Sequence, residues 1–270
     1  MPTKIPFCDV TLNLTAGCSK CAPGCLDCWA ERVAKRLKGA GIKGYDKVVD
    51  SNGWTGHIEL CPWLLDKPLH LRRPRRIFVA SLSDLFHPDV PFEFIDKVYV
   101  KISDYKRHKF LIFTKRIERM LEYHIRRPRI INIDGVERMS LIDWPIPNLI
   151  SILSLSTQAE ADDKIPLLLK IPAIVRGLSI EPLLGNIKEI QLTSLRDGQH
   201  IEWVVIGCES LTAGKAGRFQ DGFIAAARNI VRQCQAADVP VYIKQISIKG
   251  KANRKISDWP KDLQIQDYPK

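Results

Sequence analysis

Leu14 to Leu37 reads LTAGCSKCAPGCLDCWAERVAKRL, with Cys18, Cys21, Cys25 and Cys28 separated by two, three and two residues. A short apolar run, Val10 to Leu14, precedes the cysteines. After them, Ala30, Val33, Ala34 and Leu37 fall at offsets 0, 3, 4 and 7, the spacing of one helix face. The cysteines are therefore expected on a loop that leaves a strand and enters a helix, where α/β proteins place their chemistry.

Three kinds of site use such a cluster. Disulfides suit secreted chains, but Met1 to Pro6 is polar and has no apolar signal-peptide core. A cytosolic setting, the one expected here, disfavours them. Four-thiolate zinc sites usually separate their C-x2-C pairs by a dozen or more residues, so that two turns approach the metal from opposite sides. Here only Ala22, Pro23 and Gly24 intervene. Such density is closer to the cysteine runs that wrap iron–sulfur clusters, whose irons occupy a larger body. Zinc stays open as the alternative. It would make the chain a zinc-stabilised nucleic-acid-binding module with Cys18, Cys21, Cys25 and Cys28 in a closed site.

Cys21, Cys25 and Cys28 read C-x3-C-x2-C, which resembles the signature of radical S-adenosylmethionine (SAM) enzymes. The segments GCSKCAPGCLDCWAERVAKRL, RRIFVASLSDLFHPDVPFEFID, FLIFTKRIERML, ADDKIPLLLKIPAIVRGLSIEPLLG, WVVIGCES and QCQAADVPVYIKQ extend the likeness from about Thr11 to Gln245. In that order they resemble a radical-SAM-like family of phages and prophages, the three-cysteine-motif proteins. The resemblance implies that three cysteines ligate a [4Fe-4S] cluster whose fourth iron binds the amino and carboxylate groups of SAM. A reductant protein would supply one electron, cleaving SAM to methionine and a 5′-deoxyadenosyl radical. It further implies the cytoplasm of a bacterial host and a small-molecule, nucleotide or nucleic-acid substrate. Family members share cysteines matching Cys18, Cys25 and Cys28, and only some carry one matching Cys21. Either Cys18 or Cys21 can thus be the first ligand. The aromatic residue usual before the third cysteine is Asp27 here, with Trp29 one residue beyond the motif.

Lysine and arginine number 41 against 30 aspartate and glutamate, a net charge of +11 that attracts polyanions and makes nucleic acid a candidate partner. No apolar stretch approaches the ~20 residues of a membrane-spanning helix, so no membrane partner is expected. At 45% hydrophobic and 26% charged residues, the chain can bury a large α/β core.

Along the chain, apolar runs of strand length alternate with helical patterns. Strands are expected at Ile77 to Ser81, Phe110 to Thr114, Leu149 to Leu155, Val175 to Ile180, Ile201 to Ile206 and Val239 to Ile243. Repeated strand–helix units imply a mainly parallel sheet, and their number fits a complete or partial (β/α) barrel, with a doubly wound open sheet as alternative. One domain is expected over 1–248, with excursions at about 39–76 and 125–148 and a polar, basic, partly loose tail at 249–270.

In a barrel the residues just past each strand converge on one mouth. That rule nominates Asp84, Glu181 and Glu209 as carboxylates, Lys115, Arg116 and Lys244 as cations, and Ser83, Ser210 and Gln245 as neutral partners. A SAM-like ligand needs both charge signs; an internal ion-pair network uses the same residues. Of these, Asp84, Lys115, Glu181, Glu209 and Lys244 are the candidate cofactor contacts. His87 is a proton donor or a cap, and Cys208 a hydrogen-atom donor or a buried thiol. Cys8, Cys61 and Cys234 are expected to be structural. The basic runs Arg72 to Arg76 and Lys106 to Lys109 precede strands, which puts them at the face opposite the mouth. Arg126 to Arg129 lies in the second excursion.

Overall fold

A computed structural model describes residues 3–126, 130–133, 136–139, 144–194, 197–211, 217–219 and 221–269. Contacts sort the chain into two compact units. The first is Met1–Lys20, Ala30–Ser151 and Ile171–Ile174; the second is Cys21–Trp29, Ile152–Lys170 and Val175–Lys270. The division falls inside the cysteine stretch.

In the first unit the apolar run after Asp9 breaks in two, β1 (Val10–Leu12) and β2 (Thr15–Ala16). Asn13 sits at the break, its Oδ1 accepting from Ser81 Oγ and Leu82 N at 3.0 and 3.3 Å. Helix α1 (Trp29–Gly39) follows the cysteines, with Ala30 and Ala34 buried as its pattern required. The first excursion holds β3 (Val49–Asp50), β4 (Gly53–Trp54) and β5 (Glu59–Leu60). Asp50 Oδ1 accepts from Asn52 N and Gly53 N and so closes the β3–β4 turn. Strand β5 pairs antiparallel with β2.

Next come β6 (Arg76–Val79), α2 (Phe92–Asp104), β7 (Lys109–Thr114) and α3 (Ile117–Arg126). Strands β1, β6 and β7 are parallel, with Val10 opposite Ile77 and Ile77 opposite Phe110. Their near-continuous apolar runs mark strands covered on both faces. Helix α2 buries Phe94, Ile95, Val98, Tyr99 and Ile102, a stripe of helical period. Asn148 Nδ2 donates to Ile102 O near its C-terminus and to Tyr105 O and His108 O in the turn that follows, tying the helix end to the start of β7. The second excursion falls partly outside the described residues. Its described part includes the antiparallel hairpin β8 (Ile130–Ile133) and β9 (Val136–Met139).

Strand β10 (Leu149–Leu155) is buried at every position and has residues in both units. Helix α4 (Gln158–Leu168) starts on a capping box: Thr157 Oγ1 accepts from Glu160 N, and Glu160 Oε2 reaches back to Ser156 N at 2.9 Å. Then follow β11 (Val175–Ile180), β12 (Trp203–Gly207), α5 (Phe223–Ala236), β13 (Val241–Ile248) and β14 (Lys251–Asn253). Strands β11, β12 and β13 are parallel, and β14 turns back antiparallel on β13.

The eight-stranded sheet has the order β1-β6-β7-β10-β11-β12-β13-β14. The mainly parallel α/β architecture is thus present, and among the described residues no closed barrel is formed. The tail, expected to be partly loose, is packed instead. Trp259 and Leu263 are buried, and Trp203 Nε1 donates to Asp267 O at 2.9 Å. Its few apolar residues were the signal: two buried side chains suffice to anchor a polar segment.

Candidate functional site

Both units carry their charged residues just past the C-terminal ends of parallel strands, and in both those residues are paired. In the first unit the chain turns sharply after β6 at Ala80, whose φ of 56° is unusual for a residue with a Cβ. The turn delivers Asp84 to a buried position. Its Oδ1 accepts from Phe86 N at 2.9 Å and Thr114 Oγ1 at 2.8 Å. Its Oδ2 accepts from Lys115 N at 3.2 Å and Arg116 Nη1 at 3.1 Å. Lys115 thus meets Asp84 through its backbone.

Arg116 is the bridge to the cysteine stretch. Its Nη2 donates to Ser19 O and Ser19 Oγ at 2.9 and 3.0 Å, and its Nη1 lies 3.8 Å from Cys18 Sγ. Ser19 Oγ is also 2.8 Å from His87 Nε2. Asp89 N donates to His87 Nδ1, so the ring carries its proton on Nε2 and donates it to Ser19. His87 is therefore a buried neutral link that orients Ser19.

Burial, then the nearby Arg116 guanidinium, holds the His87 pKa below its ordinary value of 6.5; Asp89 and Asp84 oppose this, and Arg119 adds to it. His108 is depressed too, first by burial, while its bond to Pro68 O opposes and Arg107 and Arg75 assist. Unfolding lets both rings take up protons at 6.5 that the folded chain refuses. Their contribution to stability is full above that pH and falls as pH drops through it towards the folded values. We expect unfolding free energy to fall between pH 7 and 5, and less steeply in His87→Asn. Urea titrations across that range check this; identical slopes would remove His87 as a cause.

In the second unit Glu181 follows β11, Cys208, Glu209 and Ser210 follow β12, and Lys244 and Gln245 lie in β13. Lys244 Nζ donates to Glu181 Oε2 at 2.6 Å, and Ser179 Oγ to Glu181 Oε1 at 3.3 Å. Gly207 leaves room for that carboxylate: a Cβ there would stand 2.8 Å from Glu181 Oε2. The β12–β13 register slips at the same place, pairing Ile206 with Ile243 but Gly207 with Gln245. Such a bulge re-aims side chains, here Lys244, at a strand end. Gln245 Nε2 donates to Cys208 O and Ser210 Oγ, both at 2.7 Å, while its buried Oε1 has no partner among the described residues.

Glu209 is engaged by a residue that strand-end logic did not nominate. Arg218 Nε and Nη2 donate to Glu209 Oε1 at 2.8 and 2.6 Å, and Arg218 N donates to Oε2 at 2.7 Å. Arg218 Nη1 then donates to Pro23 O at 3.0 Å, inside the turn between Cys21 and Cys25. This ties the cysteine turn to the end of β12. Arg218, Ser19 and Arg254, which donates to Ser210 Oγ, carry no local sequence signal; Pro23 and Arg218 lie 195 positions apart.

The cysteines divide cleanly by exposure. Cys21 is exposed and Cys18, Cys25 and Cys28 are half-buried, whereas Cys8, Cys61, Cys208 and Cys234 are buried, and none is in a disulfide. Burial pushes Cys208 and Cys234 up to about 12 and Cys61 up to about 11. A thiol held protonated in this way is a poor nucleophile and a poor metal ligand. Among the described residues no group of three or more Cys, His, Asp or Glu is arranged to hold a metal ion. The loop's donor chemistry nonetheless suits a thiophilic metal, since four accessible thiols lie on one short loop. Of the basic runs, Arg72, Arg73, Arg75, Lys106, Arg107 and Lys109 are exposed at the starts of β6 and β7, whereas Asp84 and Arg116 lie past those strands' ends.

The model of the family described as "Protein of unknown function (DUF5131)" matches residues 2–261. No curated protein and no solved structure matches the chain. No described helix is long and apolar enough to cross a membrane.

Proposed function

The chain belongs to that family of unknown function, and from the chemistry of its cysteine loop we propose that it is an iron–sulfur enzyme of the radical SAM type, built on a partial (β/α) barrel. One observation carries the reading. The only accessible cysteines among the described residues share one loop, and Arg218 bonds that loop to the end of β12. The neighbouring strand, β13, there supplies a cation and a buried amide.

Cys21, Cys25 and Cys28 would hold a [4Fe-4S] cluster, with Cys18 the other candidate for the first position. When bound and reduced, such a cluster would supply the electron for reductive cleavage of SAM to methionine and a 5′-deoxyadenosyl radical. The remaining work falls to the chain's own side chains. Glu181 and Lys244 present both charges of a partly buried ion pair and suit the two ends of an amino acid. Lys244 would pair with the carboxylate, and Glu181 would accept a hydrogen bond from the amino group. Gln245 Oε1, buried and without a partner among the described residues, is the candidate acceptor for a ribose hydroxyl. Glu209 is filled by Arg218 and serves the site by holding the cysteine turn; in the first unit Asp84 is filled by Arg116, which also holds Ser19.

The test is anaerobic purification with iron, sulfide and zinc analysis, followed by reduction in the presence of SAM. A brown protein that releases 5′-deoxyadenosine is expected. Lys244→Ala should weaken SAM binding by ~1–3 kcal/mol, the worth of a charge-assisted contact. A colourless protein holding one zinc, with steeply salt-dependent DNA binding, would replace this reading by the zinc module.

A further inference from the structure

Pro23, Gly24 and Cys25 form a single short turn, closed by Cys25 N donating to Ala22 O at 2.9 Å and Leu26 N to Pro23 O at 3.4 Å. Proline sets the entry: Ala22 is extended, at φ −152° and ψ 158°, as a residue before proline prefers. One isolated turn fixes several dihedrals for few hydrogen bonds and is weak by itself. The cysteines on either side of it therefore depend on contacts from elsewhere for a defined spacing.

Arg218 supplies such a contact, and its geometry leaves it little other use. Its Nε and Nη2 face Glu209, and its Nη1 faces the Pro23 carbonyl. Glu209 is spent on the same arginine, Oε1 on the guanidinium and Oε2 on the Arg218 backbone. Its side chain is 5% exposed against 32% for Arg218, so the buried partner orients the outer one. A planar fork meets a carboxylate and a carbonyl from separate nitrogens held in a fixed geometry, whereas an ammonium offers its three donors from one point on a flexible stem.

We propose that Glu209 and Arg218 are positioning residues for the cysteine loop. Glu209 orients the guanidinium, and the guanidinium holds the Pro23–Gly24 turn so that Cys21, Cys25 and Cys28 keep their spacing. The value of that spacing for metal binding rests on the reading of these cysteines as cluster ligands, but the clamp itself is a property of the metal-free chain.

The experiment is therefore made first without metal. Pulse alkylation of the reduced, metal-free protein, mapped by mass spectrometry, gives a rate for each cysteine. In Arg218→Ala, half-buried Cys25 and Cys28 should react about tenfold faster, the equivalent of one charge-assisted hydrogen bond, and exposed Cys21 should change less. Buried Cys61, Cys208 and Cys234 should stay slow. Arg218→Lys should recover at most part of the parent's protection, and adding Glu209→Gln to Arg218→Ala should change nothing more. Unchanged loop rates overturn the clamp. So does an equal rise at the buried cysteines, which would make the pair a general stabiliser. Release of iron to a chelator from anaerobically reconstituted Arg218→Ala should be about tenfold faster than from the parent. A parent that takes up no iron would refute the cluster reading, while the alkylation rates still decide the clamp.

Discussion

Cys25→Ala and Cys28→Ala are each expected to abolish iron–sulfur absorbance after anaerobic reconstitution, and with it all 5′-deoxyadenosine formation. Three protein thiolates are the minimum that holds a four-iron cluster while leaving one iron open, so the loss of one is not graded. Both residues belong to either spacing, C-x3-C-x2-C from Cys21 or the wider one from Cys18, so both must fail together. A full cluster in either variant would show that the loop is not the site. The first ligand is then decided by difference. Cys21→Ala should lose the cluster and Cys18→Ala should keep it, since Cys21 stands two residues before the Pro23–Cys25 turn that Arg218 holds. The contact of Arg116 with Cys18 Sγ gives the reverse pattern a physical basis, because hydrogen bonds to cluster sulfurs tune such centres. Loss in both variants, with no SAM cleavage by the parent, would favour a closed four-cysteine site.

Asp84→Ala should be the most destabilising single substitution among the charged residues, by ~3–5 kcal/mol in a urea or thermal titration. The side chains of Arg116 and Asp84 are 11% and 7% exposed, so removing the carboxylate leaves a buried guanidinium uncompensated. Thr114 Oγ1 and the amides of Phe86 and Lys115 also lose their acceptor. Asp84→Asn keeps an oxygen for the Phe86 amide and Thr114 but surrenders the charge, and should cost ~1–3 kcal/mol. A change within ~0.5 kcal/mol for Asp84→Ala would mean that Arg116 finds other partners and that the network is not structural. The variant should also loosen Ser19, which Arg116 grips from the other side.

The strands and helices were legible because each was announced by its own period. Leu149 to Leu155 is a mostly apolar run bounded by turn residues, and the chain forms a strand at those residues. The run after Asp9 misled because hydropathy does not register Asn13, whose side chain bonds the β6 turn and bends the strand into β2. The tail misled for the opposite reason: among many polar residues, Trp259 and Leu263 were enough to hold it down.

The candidate site was legible only as an inventory. Strand-end logic named Asp84, Glu181, Glu209, Lys115 and Lys244, and the structure puts every one of them just past a strand end or at the β13 bulge. It did not say how charges would pair. Glu209 binds Arg218, from a segment with no strand-end position, and Lys115 meets Asp84 through its amide rather than its ammonium.

What this sequence determined by itself is local. The thiols stand close along the chain, Pro23 makes a turn between two of them, and alternating strand and helix periods demand a parallel sheet covered by helices. Those facts follow from covalent spacing and side-chain periodicity, which act over a few residues. The tertiary structure alone decided which carboxylate meets which cation, because an ion pair depends on distance in space. Arg218 reaches Pro23 across 195 positions, and Arg116 reaches Cys18 across 98. It also decided which thiols are buried and inert and which lie accessible on the loop, since burial belongs to the packed sheet and no single residue carries it.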